Sequence, residues 1–205
     1  MPACTTITTP EGMPSMPSDP IMRAARRDDA AHLARFVDMA GEGLPRHFWR
    51  DMAPPGADLW SFGAARAARD EGAFSWRNAH MAEVDGEVAG GIVTYRVAET
   101  PAPLHDLPPA ARNLQALENK VPGTQYVNVL ATYPRFRRRG IGRALLSVAA
   151  DQAGSAGLST IVADRNVTAL GLYLAAGYRE IARLPLVRPE GWDCESTEWV
   201  LLTRD

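Results

Sequence analysis

Cysteine is nearly absent. The 205-residue chain has two, Cys4 and Cys194, too few for a disulfide framework and too isolated for a metal-binding pattern. That excludes a stapled mini-scaffold, leaves no metal to expect, and points to a reducing compartment, read as the cytoplasm. Long apolar runs are missing as well. None approaches the roughly 20 residues that cross a bilayer, and no basic stretch leading into an apolar one opens the chain. Neither a membrane partner nor a secretory signal is therefore expected. An excess of one charge is also lacking. Lys and Arg number 22 against 24 Asp and Glu, a net charge of −2, so nothing global draws the chain to nucleic acid.

What is present is a chain with 46% hydrophobic residues, enough for a packed core. Five prolines fall within residues 1–20. That segment buries too little apolar surface to offset its ordering entropy and reads as a mobile tail, with the domain over 21–205. Ile21 to Ala25 reads as a first strand. Asp28 or Asp29 caps a helix whose Leu33, Phe36, Val37 and Ala40 recur at helical spacing. Gly41 and Gly43 end it, and Leu44-Pro45 restarts a short helix. Ala57 to Glu71 reads as a third. Ser75–Val84 and Val88–Val97 form a hairpin about Asp85-Gly86, and Gly90-Gly91 signals a bulge or a close backbone approach. Ala110–Lys120 is helical and Gln125–Thr132 is a strand. After a further helix–strand–helix run come Tyr178–Val187 and Glu195–Thr203, both strands. Mixed strands and helices imply an α/β or α+β sheet covered on both faces.

The chemistry concentrates between Tyr126 and Tyr178. Arg137-Arg138-Arg139-Gly140-Ile141-Gly142 joins a strand to a helix beginning near Arg143. The first turn of a helix presents unpaired N–H groups and the positive end of its dipole, a ready site for a phosphate. The glycines hold no side chain between ligand and backbone. It is neither a Walker loop, since no Gly-Lys-Ser/Thr follows, nor a dinucleotide fingerprint, since the third Gly is missing. Taken alone, a Gly-x-Gly has many structural uses and an arginine run is usually a solvated face. A second motif stands downstream. Asn166 opens a short helix, able to cap it or to bond a ligand amide, and Tyr173 lies about two turns on, before Gly177-Tyr178.

Together the two motifs resemble the GNAT N-acetyltransferase superfamily. Arg137-x-x-Gly140-x-Gly142 matches its coenzyme signature. Leu130-Ala131-Thr132-Tyr133-Pro134 resembles the strand end before it, with Thr132 where the family usually has Val. Asn166, Ala169, Tyr173 and Gly177-Tyr178 resemble its second motif. The resemblance implies a mixed, mostly antiparallel sheet of six or seven strands, with helices on both faces. Strands four and five would form a splayed parallel pair. It implies acetyl-CoA as acyl donor, its pantetheine between the splayed strands. A bulge near Leu130-Ala131 would free backbone groups for the pantetheine amides and the thioester oxygen. Arg138 to Arg143, with Ile141 among them, would hold the pyrophosphate. Tyr173 would be the acid for the leaving thiolate, against the plainer reading of a packed aromatic. A primary amine, of a small molecule or a protein, would attack directly in a ternary complex after losing a proton. Glu118 is the candidate base, otherwise a solvated helix residue, and Asn128 could only orient a water. The acceptor pocket would draw on Glu42, Leu44, Phe48 and Trp49 and on the loop around Trp192, although the plainer reading of Phe48 and Trp49 is core beside a tight turn. A non-catalytic acyl-CoA sensor is the alternative. A homodimer paired through the final strand near Trp199 is a further expectation by analogy.

Overall fold

The computed structural model describes residues 18–205. Most of the expected tail thus lies outside the described residues. The strands in chain order are β1 (Ile21–Ala24), β2 (Ala79–Val84), β3 (Glu87–Arg96), β4 (Gln125–Thr132), β5 (Leu158–Ala163), β6 (Arg179–Pro185) and β7 (Glu198–Arg204). They form one sheet in the order β1-β2-β3-β4-β5-β7-β6. Only β4 and β5 run parallel. The β2–β3 hairpin turns on Asp85 and Gly86, whose φ of 53° and 79° are the left-handed pair that matches strand twist in a two-residue turn. The expected strand from Ser75 starts at Ala79 instead. The Ser75 hydroxyl accepts from the Arg77 N–H at 3.2 Å and holds Trp76–Asn78 in a 3-10 turn.

Helices cover both faces. They are α1 (Ala30–Ala40), α2 (Leu44–Met52), α3 (Leu59–Ala67), α4 (Pro109–Glu118), α5 (Ile141–Gln152) and α6 (Val167–Ala175). On one face, Leu33 and Phe36 of α1 pack with Met81, Val93 and Val129. On the other, Ile141, Leu145 and Leu146 of α5 pack with Ile92, Val127 and Val200. The third helix is shorter than the Ala57–Glu71 its composition suggests. The Asp58 carboxylate caps it, accepting from the Ser61 N–H at 2.8 Å. The close backbone approach expected at Gly90-Gly91 occurs, since a Cβ on Gly90 would lie 2.7 Å from the Ala131 carbonyl oxygen, while the bulge falls beside the pair, at Ala89, which the register of β2 against β3 skips.

Two further expectations are corrected. The bulge in β4 is not at Leu130-Ala131. Val93 pairs with Val129 and Thr94 with Val127, so Asn128 is the extra residue. Strict alternation would put Tyr126 and Val129 on opposite faces, yet both pack on the side of α1 and α4; the bulge absorbs the difference. The final strand is not a free edge either. β7 is inserted between β5 and β6 and Trp199 is buried, so the open edge on that side is β6 and the dimer contact expected near Trp199 has no strand edge to use.

Candidate active site

A cleft begins where β4 and β5 part. They pair over only three positions, Gln125 with Leu158, Tyr126 with Ser159 and Val127 with Thr160. The Thr160 hydroxyl donates to the Val127 carbonyl at 3.0 Å at the fork. Beyond it β4 runs on to Thr132 bonded to β3 alone, so the β5-facing backbone groups of Leu130, Ala131 and Thr132 have no strand partner. A cleft between diverging strands with unpaired N–H and C=O groups on its wall can take an extended chain that carries amides.

At the mouth of this cleft lies the arginine–glycine turn. Arg138 has φ 64° and Gly140, which precedes α5, has φ 79°. A side chain at Arg138 in that conformation costs roughly 1 kcal/mol. Left-handed residues alternating with others turn successive N–H groups toward one point, a concave anion site. No side chain caps α5. Its first internal bond runs from the Ala144 N–H to the Gly140 carbonyl at 3.0 Å, which leaves the N–H groups of Ile141, Gly142 and Arg143 without intrahelical acceptors. The Ile141 side chain itself is buried in the core, so its backbone alone is available. Arg137 donates to the Thr132 carbonyl at 3.3 Å, tying the turn to the strand end. Arg139 lies 5.7 Å from the centre of the Phe136 ring. Among the described residues, Arg137, Arg138, Arg139 and Arg143 form no ion pair. A Cβ on Gly140 would meet nothing within 4 Å, so the space over the turn is open.

α6 brings the second motif alongside. Of the two uses open to Asn166, the structure shows the cap: its Oδ1 accepts from the Ala169 N–H at 3.1 Å. The helix closes in a Schellman motif. The Tyr178 N–H donates to the Tyr173 carbonyl and the Gly177 N–H to the Leu174 carbonyl, both at 3.0 Å, with φ 89° at Gly177. That fixes Tyr173, whose ring packs edge-on against Tyr178 at 5.1 Å. Burial pushes the Tyr173 hydroxyl up to about 12, with the Thr160 hydroxyl pulling the other way. Tyr173 is thus protonated at neutral pH and stands beside Thr160, at the fork between β4 and β5.

A cavity of about 240 Å³ opens on the face of the sheet that carries α1 and α4. Of the predicted acceptor residues it brings together Leu44, Phe48 and Asn128, and it adds the candidate base Glu118. Trp49 is turned away into the core. A Cβ on Gly63 would sit 2.4 Å from its ring, so α3 can pack there only because that residue is glycine. Glu42 and Trp192 frame the cavity without lining it. The Trp192 indole donates to the Glu42 carbonyl at 2.8 Å, and the Cys194 thiol to its carboxylate at 3.2 Å. Asp38 holds the same α1–α2 turn from the other side, accepting from the Arg46 N–H at 3.2 Å.

Glu118 is not the solvated helix residue of the plainer reading. It is half-buried on the cavity wall, and the Tyr95 hydroxyl donates to its Oε2 at 2.8 Å. Burial raises its carboxyl above the ordinary range, and hydrogen bonds from Tyr95 and Gln115 offset this only in part. Tyr126 stands between the two ends. Burial first, then the charge of Glu118, pushes its hydroxyl up. Sequence reasoning missed Tyr95, Tyr126 and Gln115. Gln115 had a signal, since Gln115 and Glu118 are three apart on one helix face. Tyr95 and Tyr126 had none, because their pairing across β3 and β4 depends on register.

A family model for acetyltransferases of the GNAT family matches residues 44–178. An uncharacterized protein of Mycobacterium leprae is 33% identical over 79 residues, which span 38% of this chain and 21% of that one; the chain thus matches about a fifth of that relative's length. Among solved structures, an N-acetyltransferase from Staphylococcus aureus superposes with a TM-score of 0.59 at 17% identity, covering 90% of this chain and all of that one. The ribosomal-protein-S18-alanine N-acetyltransferase of Escherichia coli gives 0.53 at 16% identity, covering 90% and 92%.

Proposed function

Because the chain belongs to the GNAT acetyltransferase family, we propose that it transfers an acetyl group from acetyl-CoA to a primary amine, with both substrates bound at once. The reading rests above all on one observation: the β4–β5 cleft, with the anion-binding turn at its mouth, lies beside a separate cavity walled by a half-buried carboxyl. Arg138, Arg143 and the N–H groups of Ile141 and Gly142 bind the pyrophosphate. Backbone groups of Leu130, Ala131 and Thr132 take the pantetheine amides. A free N–H of the bulged strand steadies the thioester oxygen as it gains charge.

In the cavity, Glu118 takes a proton from the ammonium. The free amine attacks the carbonyl carbon, the C–N bond forms and the C–S bond breaks, and the surplus nitrogen proton leaves to solvent. Tyr173 donates to the departing thiolate. A phenol at about 12 is a weaker acid than a thiol of about 8.5, so it acts chiefly as a hydrogen-bond donor to the thiolate. Glu118 must be ionised to act. Its carboxyl is raised, so the rate falls as pH drops through a value above the ordinary Glu range. A thiol-release assay with acetyl-CoA and a panel of amines tests the reading. Amine-dependent release supports it. Binding of acetyl-CoA with no release from any amine would favour a non-catalytic acyl-CoA sensor.

A further inference from the structure

The acceptor itself is encoded in the wall of the cavity, and this step rests on the catalytic reading above only for the cavity's use. Eleven of its fifteen lining residues are apolar or glycine, among them Val37, Leu44, Phe48, Leu114, Ile161 and Trp199. Among those fifteen, Glu118 is the single carboxyl, and no Lys, Arg, His or Asp is present. Glu118 accepts from an uncharged phenol and forms no ion pair among the described residues. The titratable groups around it are the phenols Tyr95 and Tyr126. A half-buried carboxylate with neutral partners still lacks a cation. The cavity volume, about 240 Å³, is below the range for drug-sized ligands and above the roughly 150 Å³ that admits benzene.

We infer that the acceptor is a small, apolar, uncharged-bodied primary monoamine, its ammonium on Glu118 and a body about the size of one ring or a short branched chain against Phe48, Leu114 and Ile161. An amino acid brings a carboxylate that the wall cannot pair and that Glu118 repels. A polyamine brings a second cation with no second carboxylate. A peptide N-terminus brings an amide chain whose polar groups find few partners in the cavity.

Benzylamine and α-phenylglycine are a minimal pair, differing by one carboxylate. Calorimetric titration of each into the protein with CoA present is the test, alongside isoamylamine, spermidine and a hexapeptide with a free N-terminus. Benzylamine and isoamylamine should bind at least about tenfold more tightly than the other three. Glu118→Gln should weaken benzylamine binding by loss of the charge pair. Ala111→Trp, which fills the cavity, should abolish it while acetyl-CoA still binds. If Ala111→Trp does not fold, the Glu118→Gln comparison decides alone. Equal or tighter binding of phenylglycine or the peptide overturns the inference, as does benzylamine binding indifferent to Glu118→Gln. Benzylamine binding without acetyl transfer supports the inference and removes the catalytic reading. Transfer to another amine with no benzylamine binding does the reverse.

Discussion

At the Arg137–Gly142 turn, the groups facing a ligand are backbone N–H groups and exposed guanidinium side chains. In the cavity beside Glu118 they are apolar side chains and one carboxyl, drawn from α1, α2, α4, β4, β5 and β7. The first is contiguous in sequence and depends on local conformation, with left-handed φ at Arg138 and Gly140. The second exists only once distant elements meet. In the proposed reaction the turn would hold a group shared by every acyl-CoA and the cavity one kind of amine. Donor recognition and acceptor selection would then be separable, and variants should affect one without the other.

The largest effect expected is that of Glu118→Gln, which should lower kcat by about a thousandfold, within the range for general-base loss, and leave acetyl-CoA affinity unchanged. The same change should raise Tm. Because the folded-state pKa of Glu118 is raised, its favourable contribution holds below the unfolded value and is lost as pH rises through the folded one. At neutral pH the buried carboxylate therefore weakens the fold, and removing the charge strengthens it. A Tm that falls would contradict this account of Glu118. Tyr173→Phe should reduce kcat by about a hundredfold with little change in KM for acetyl-CoA; an equal loss in affinity would instead make Tyr173 a packing residue.

On the donor side, Gly142→Glu should weaken acetyl-CoA by at least about tenfold, since a carboxylate then opposes phosphate and its Cβ would stand 3.1 Å from Leu172 of α6. Titration by calorimetry measures it, and unaltered affinity would remove the turn from the donor site. The smallest effect is that of Tyr95→Phe. Tyr95 holds Glu118 through its hydrogen bond and does not line the cavity. Loss of its hydrogen bond raises the Glu118 carboxyl further, so the acid limb of the rate profile should move to higher pH with only a few-fold loss at its plateau. A plateau loss with no movement of the limb would mark Tyr95 as structural only.

The strands and helices were legible because hydrophobic spacing and turn residues are local signals, as at Asp85-Gly86. Asn166, Tyr173 and the arginine–glycine turn were legible for the same reason, each lying within one short stretch. The bulge was misplaced by two residues because it is a property of two strands: Asn128 is unpaired only against Val93 and Thr94. The position of β7 was hidden because strand order is set by long-range packing. Phe48 and Trp49 are adjacent in sequence, and helical geometry sends one to the cavity and the other to α3. Glu42 looked like a carboxylate for the acceptor. Its φ of 51° and its bonds from Trp192 and Cys194 show a residue spent on holding the α1–α2 turn.

The separation of donor turn from acceptor cavity is tested most directly by titrating acetyl-CoA calorimetrically into three forms of the protein: wild type, Arg143→Glu and Glu118→Gln. One-to-one binding is predicted for the wild type, about tenfold weaker for Arg143→Glu at low salt, and unchanged for Glu118→Gln. Absence of binding at millimolar acetyl-CoA, or an equal loss in both variants, would contradict it.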